Sequence, residues 1–163
     1  MIADLHCHTT ASDGSLAPAE LLQRAQQQGV EMLAITDHDT LAGYFAACRY
    51  EGDTPVLIPG IELSCVWGKS SIHILGLNID PANEILQRGI CQQCEARQLR
   101  GQLIAQKVEK RGFSGAYEYA VALAGDSQLG RPHFAQFLLD RGHTGSIAEA
   151  FKKYLGAGKA GDV

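Results

Sequence analysis

The sequence has no apolar run approaching the roughly 18 residues that a membrane-crossing helix requires. Its first residues carry acid and histidine, with neither the basic nor the apolar stretch of a signal peptide, so a cytoplasmic chain with no membrane association is expected. Positive charge is not in excess: 14 Lys and Arg stand against 18 Asp and Glu, giving a formal charge of −4. That balance argues against broad, sequence-independent attraction to nucleic acid and gives no reason to expect DNA-specific binding, while leaving room for a local basic pocket. No internal repeat or low-complexity segment is present, and Gln26-Gln27-Gln28 is too short to count as one. A disulfide framework is also lacking, because the five cysteines (Cys7, Cys48, Cys65, Cys91 and Cys94) are odd in number and scattered. Free thiols in a reducing compartment are expected. Cys91 and Cys94 have CxxC spacing, but no second pair and no histidine lies near them, so they are read as ordinary thiols.

At 163 residues, 45% hydrophobic and 20% charged, the chain can bury a real core. Short apolar runs read as strands at Ile2–Leu5, Met32–Ile35, Val56–Ile58 and Ser71–Leu77. Pro59-Gly60 reads as a turn, with extended chain resuming at Ile61–Val66. Helical patterns follow Pro18, ended by Gly29, and Leu41, ended near Arg49. Ala17 is a poor cap for the first of these, so Ser15 or the backbone alone must serve that end. Strands alternating with helices predict an α/β fold with a largely parallel sheet, in which sites collect at the C-terminal strand edges. After Asp80-Pro81 the strand signals stop. Leu86, Ile90, Leu99, Leu103, Ile104 and Val108 recur at helical spacing, predicting one long helix over residues 83–111 or two broken near Gly101. Further helices are expected at 116–124, 132–141 and 146–155. The division expected is therefore residues 1–80, α/β, and 81–163, helical.

The chemistry gathers in the first part. In extended chain, residues i and i+2 point to one face, so His6 and His8 can aim both imidazoles at one point while Cys7 turns into packing. Asp13 follows five residues later, and the pairing of neutral imidazole with carboxylate suits Zn, Fe or Mn. Two histidines lying by chance on an edge strand is the plainer alternative. His38 follows the second strand, Glu62 shares a face with Ser64, and His73 shares one with Leu75. Six candidate ligands thus come from four successive strand ends or the loops after them.

These blocks carry a likeness. Asp4-Leu5-His6-Cys7-His8-Thr9 with Ser12-Asp13-Gly14, Ala34-Ile35-Thr36-Asp37-His38-Asp39, Pro59-Gly60-Ile61-Glu62-Leu63-Ser64 and Ile72-His73-Ile74-Leu75-Gly76 occur in order. Together they resemble the polymerase and histidinol phosphatase (PHP) family, and within it the bacterial nucleotide phosphoesterase branch. The resemblance implies the N-terminal part of a distorted (β/α)7 barrel, residues 1–80, followed by a helical insertion, residues 81–163. It implies up to three divalent ions, Mn with Fe or Zn as alternatives. His6, His8 and Glu62 would hold the first, Glu62 and His73 the second, and Asp13 and His38 the third, the last two residues also acting in catalysis. Metal-activated water would hydrolyse 3′,5′-bisphosphonucleotides or act at the 5′ ends of short RNA. Arg131-Pro132-His133-Phe134 resembles a block in the branch's helical insertion, which implies that Arg131 and His133 bind substrate phosphate. Members of the family continue beyond the insertion with further strands and ligands, so the chain ending at Val163 is expected to be C-terminally truncated. Two other readings stand beside this one: a non-catalytic metal-binding fragment, and an enzyme like histidinol-phosphate phosphatase.

Overall fold

A computed structural model describes residues 1–68, 70–161 and 163. The chain divides into two compact units, Met1–Gln93 and Cys94–Val163.

The first unit is α/β. Its strands are β1 (Ala3–Cys7), β2 (Met32–Ile35), β3 (Val56–Trp67) and β4 (Ser70–Leu77), and they lie side by side in that order. Helix α1 (Pro18–Gln27) links β1 to β2, and α2 (Ala42–Ala47) lies between β2 and β3. β1, β2 and β3 are parallel, as crossover helices require. Leu22 and Ala25 of α1, Leu33 and Ile35 of β2 and Ala47 of α2 form the core on one side of this layer. Cys7 packs against that cluster, where burial first and the charges of Asp4 and Asp37 second push its thiol pKa up to about 12. Helix α1 starts at Ala17 without a side-chain cap; the Glu20 carboxylate instead accepts the Ala17 N–H at 2.8 Å.

Two expectations are corrected here. β4 runs antiparallel to β3, so the sheet is mixed and His73 lies mid-strand rather than at a C-terminal edge. Pro59-Gly60 is not a turn but lies inside β3. Residues 56–59 pair with β2 and residues 60–67 pair with β4, so the Pro-Gly step marks where the strand passes from one partner to the other. Proline has no N–H to give to a ladder, which matters least at such a boundary. At Gly60 a Cβ would lie 2.9 Å from the Ile35 carbonyl oxygen, so only glycine permits this approach of the two strands.

Helix α3 (Glu84–Glu109) is continuous and runs from the first unit into the second. No break occurs at Gly101. That glycine is a packing position, since a Cβ there would collide with the Leu129 side chain. The second unit is completed by α4 (Ala116–Ala124), α5 (Arg131–Asp140), α6 (Ile147–Ala150) and a π-helical turn, Phe151–Leu155. Its core joins Ile104, Ala105 and Val108 of α3 to Ala116 and Ala120 of α4, with Phe134, Phe137 and Leu138 of α5 at the centre. The alanine face of α4 lets the bulky α5 residues come close, so small and large side chains interdigitate. No helix among the described residues is long and apolar enough to cross a membrane, and all five cysteines are free.

Candidate metal centre

β1, the turn after β2, and the β3–β4 hairpin deliver six side chains to one place. His6 lies one residue before the end of β1 and His8 directly follows its last residue, Cys7, so both imidazoles reach the same carboxylate. His6 Nε2 is 2.8 Å and His8 Nε2 3.1 Å from Glu62 Oε2. In the hairpin, Ser64 stands opposite His73, which makes Glu62 and His73 diagonal neighbours on one face. His73 Nδ1 lies 2.7 Å from Glu62 Oε1. His38 comes in from the turn after β2, where an isolated parallel bridge joins it to Glu62. Its Nδ1 is 3.8 Å from Glu62 Oε1 and its Nε2 is 3.6 Å from Asp13 Oδ2. Asp13 completes the arrangement, with Oδ1 3.4 Å from His8 Nδ1. Adjacent imidazole rings along the series His6, His8, His38, His73 have centroids 4.7–5.2 Å apart.

Three overlapping groups result: His6, His8 and Glu62; His8, Asp13 and His38; His38, Glu62 and His73. Within each, one ligand atom per residue lies within 4.8 Å of the others, close enough for a single cation to be shared. The polar bookkeeping favours such a cation. His8 Nδ1 and His38 Nδ1 are buried and make no hydrogen bond among the described residues, a condition that costs about 1–3 kcal/mol for each group. Glu62 is almost wholly buried, and its ion-pair partners among the described residues are all histidines. Burial pushes the Glu62 carboxyl up, but the hydrogen bonds from His6 and His73 and the fields of His38 and His8 together carry it below the usual carboxylate value. His38 goes the other way. Burial lowers its pKa and outweighs Asp13 and Glu62, which favour the cation. A neutral imidazole beside an ionised carboxylate is the protonation state in which both ligate metal.

The sequence matches the PHP domain family over residues 4–159, an interval that holds all six of these side chains. The chain belongs to the PHP domain family. Among curated relatives of this PHP domain is the 5′-3′ exoribonuclease Rnm of Salmonella typhimurium, 49% identical over the whole chain. A 3′,5′-nucleoside bisphosphate phosphatase of Chromobacterium violaceum is 35% identical over 98% of it. A solved structure from Bifidobacterium adolescentis, provisionally described as a metal-dependent phosphoesterase, superposes over 99% of the chain with a TM-score of 0.89 at 29% identity. The chain spans 57% of the length of each of these three proteins.

Two residues of the PHP domain that sequence reasoning did not single out support the cluster from behind. Asp37 and Asp39 flank His38 and are both buried. Asp39 holds a left-handed backbone (φ 53°); its N–H donates to the Glu62 carbonyl at 2.9 Å and its Oδ1 accepts the Ser64 N–H at 2.8 Å. The Asp37 carbonyl accepts the Glu62 N–H at 3.2 Å, so the turn bearing His38 is fastened to β3 from both of its flanking residues. The available signal was an alternation of acid, histidine and acid directly after a buried strand. Arg131 and His133 belong to the second unit, in the first turn of α5. Arg131 donates to the Leu155 carbonyl at 3.4 Å. His133 Nδ1 faces the Gly130 backbone, 3.1 Å from its N–H nitrogen and 3.3 Å from its carbonyl oxygen.

Proposed function

We propose that the protein is a divalent-metal-dependent phosphoesterase whose substrates are 3′,5′-bisphosphonucleotides or the phosphorylated 5′ ends of short RNA. The observation that carries this reading is the convergence of four histidines, Glu62 and Asp13 into three linked groups. His6, His8 and Glu62 would hold one ion, His38, Glu62 and His73 a second, and His8, Asp13 and His38 a third. Imidazole mixed with carboxylate suits Mn, Fe or Zn, and we favour Mn. Ions bound there supply Lewis acidity toward a phosphoryl oxygen and toward water.

The chain's own side chains do the rest. Glu62 brings one negative charge to the first two groups, and Asp13, about two-fifths exposed, brings a second at the open side of the cluster. His38, neutral and partly buried between the two carboxylates, keeps both ring nitrogens aimed at the cluster. Arg131 and His133, in the first turn of a ten-residue helix, bring a guanidinium and an imidazole suited to a second phosphate. In this reading residues 1–80 carry the metal site and residues 81–163 the helical insertion. We place the protein in the cytoplasm, where its five free thiols would stay reduced.

The names of the exoribonuclease and bisphosphatase relatives support this substrate class. The test is phosphate release from adenosine 3′,5′-bisphosphate, and digestion of a 5′-phosphorylated RNA oligomer, with Mn2+ and then with excess chelator. Turnover that requires metal and is lost in His38→Ala is expected. Metal-independent turnover, or no turnover on either substrate, overturns the reading.

A further inference from the structure

Asp37 is almost completely buried, accepts three hydrogen bonds and belongs to none of the three ligand groups. Its Oδ1 accepts the Thr9 N–H at 2.7 Å and the Ser12 hydroxyl at 2.6 Å, and its Oδ2 accepts the Thr9 hydroxyl at 2.7 Å. A buried carboxylate is costly unless donors surround it, and here all three donors come from the segment between His8 and Asp13. Thr9, itself fully buried, is the hub of that segment. Its carbonyl accepts the N–H groups of Ser12 and Gly14, and its hydroxyl oxygen accepts the Ala11 N–H. Asp13 therefore sits between two residues tied to Thr9, while Thr9 and Ser12 are tied to the residue that precedes His38. Gly43 of α2 leaves the space for this clamp, since a Cβ there would collide with Asp37 Oδ2 and Thr9 Oγ1.

We propose that Asp37 is the positioning residue of the His8–Asp13–His38 group, folding the Asp13 loop against the His38 turn so that these three side chains can share one ion. This rests on the reading of the cluster as a metal centre. Among the described residues the Asp13 carboxylate has only its imidazole neighbours, at 3.4 Å and 3.6 Å, and it is partly exposed. The two Glu62 groups are set by β1 and the β3–β4 hairpin, as well as by the His38 bridge. Loss of the clamp therefore weakens one ion and spares the others.

The experiment is Co2+ titration of the metal-free protein, counting ions by equilibrium dialysis and following the visible d–d bands, in wild type, Asp13→Asn, Asp37→Ala, Asp37→Asn and Ser12→Ala. Asp13→Asn identifies the equivalent that belongs to its group. Asp37→Ala is expected to weaken that same equivalent about tenfold or more and leave the rest within about twofold. Asp37→Asn keeps an oxygen for the Thr9 N–H and the Ser12 hydroxyl, and is expected to restore most of the affinity. Ser12→Ala removes one donor and is expected to cost about threefold in that equivalent alone, which keeps the test open if Asp37→Ala does not fold. Unchanged binding in Asp37→Ala and Ser12→Ala, or a loss spread evenly over all ions, overturns the proposal. Failure of the wild type to bind Co2+ overturns the metal-centre reading instead.

Discussion

Glu62 takes part in two of the three ligand groups, so neutralising it is the most informative single change. Glu62→Gln keeps the shape and removes the charge. Without metal, two short hydrogen bonds, 2.8 Å from His6 and 2.7 Å from His73, lose their ionised acceptor. Bonds to charged groups contribute about 1.5–3 kcal/mol and neutral ones about 0.5–1.5, so the metal-free variant should lose on the order of 2 kcal/mol. The larger effect is on the response to metal. A ligand present at about a hundred times its Kd stabilises the folded form by about 2.7 kcal/mol. For a domain of this size each kcal/mol moves Tm by roughly 2–4 °C, so saturating Mn2+ should raise the wild-type Tm by about 5–10 °C per tight site. In Glu62→Gln two groups lose their only carboxylate, and the rise should fall to that of the His8–Asp13–His38 group alone. The assay is thermal unfolding by circular dichroism, each variant compared with its own chelated baseline. Glu149→Gln, whose carboxylate binds Lys153 and the Gly145 N–H in the second unit, serves as the control. An equal metal-induced rise in wild type and Glu62→Gln would refute the role given to this carboxylate.

Two further predictions concern the second unit. Gly101→Ala should improve helix propensity by about 1 kcal/mol but force the Leu129 side chain aside, for a net loss of about 1 kcal/mol by urea denaturation; a gain in stability would show that the packing reading is wrong. Tyr119 donates to the Asp140 carboxylate, and that hydrogen bond, with burial and the Asp140 charge behind it, raises the phenol above its ordinary value near 10. Its folded pKa is the higher one, so its contribution is complete below the unfolded value and fades as pH rises through the folded one. The Tm gap between wild type and Tyr119→Phe should therefore be constant to about pH 9 and close above pH 10, whereas parallel curves to pH 11 would contradict it.

Much of the cluster could be read from local rules. His6 and His8 share a face because a strand has period two, and the faces given to Glu62 and His73 by alternation are the faces they occupy. The direction of β4 was the miss. Two residues, 68 and 69, separate Trp67 from Ser70, a gap that an antiparallel hairpin bridges and a parallel crossover cannot. The rhythm of the earlier strands and helices masked that signal, and Pro59-Gly60 drew attention as a turn because proline and glycine are stronger punctuation than a lone glycine. Gly101 left the choice between one helix and two open for the same reason, since its cause is Leu129, 28 residues away in sequence and invisible to a local window. Asp37 and Asp39 showed in the sequence only as acids on either side of His38, which gives neither of them a role. A buried carboxylate is recognised by its donors, and those come from residues 9, 12 and 64.

The hand-over within β3 has a consequence for how this chain can change over generations. One strand is read by two neighbours in succession, so it works as a ruler with two scales. Glu62 falls two residues past the point where the scales meet, and His73 is located by counting back from the hairpin tip. Inserting or deleting one residue between Gly60 and Trp67 would shift the second scale against the first and turn either the acid or the histidine to the far side of the sheet. Lengthening the tip itself, between Trp67 and Ser70, leaves both scales intact. Length variation in descendants of this sequence should therefore collect at the tip and spare the seven positions behind it.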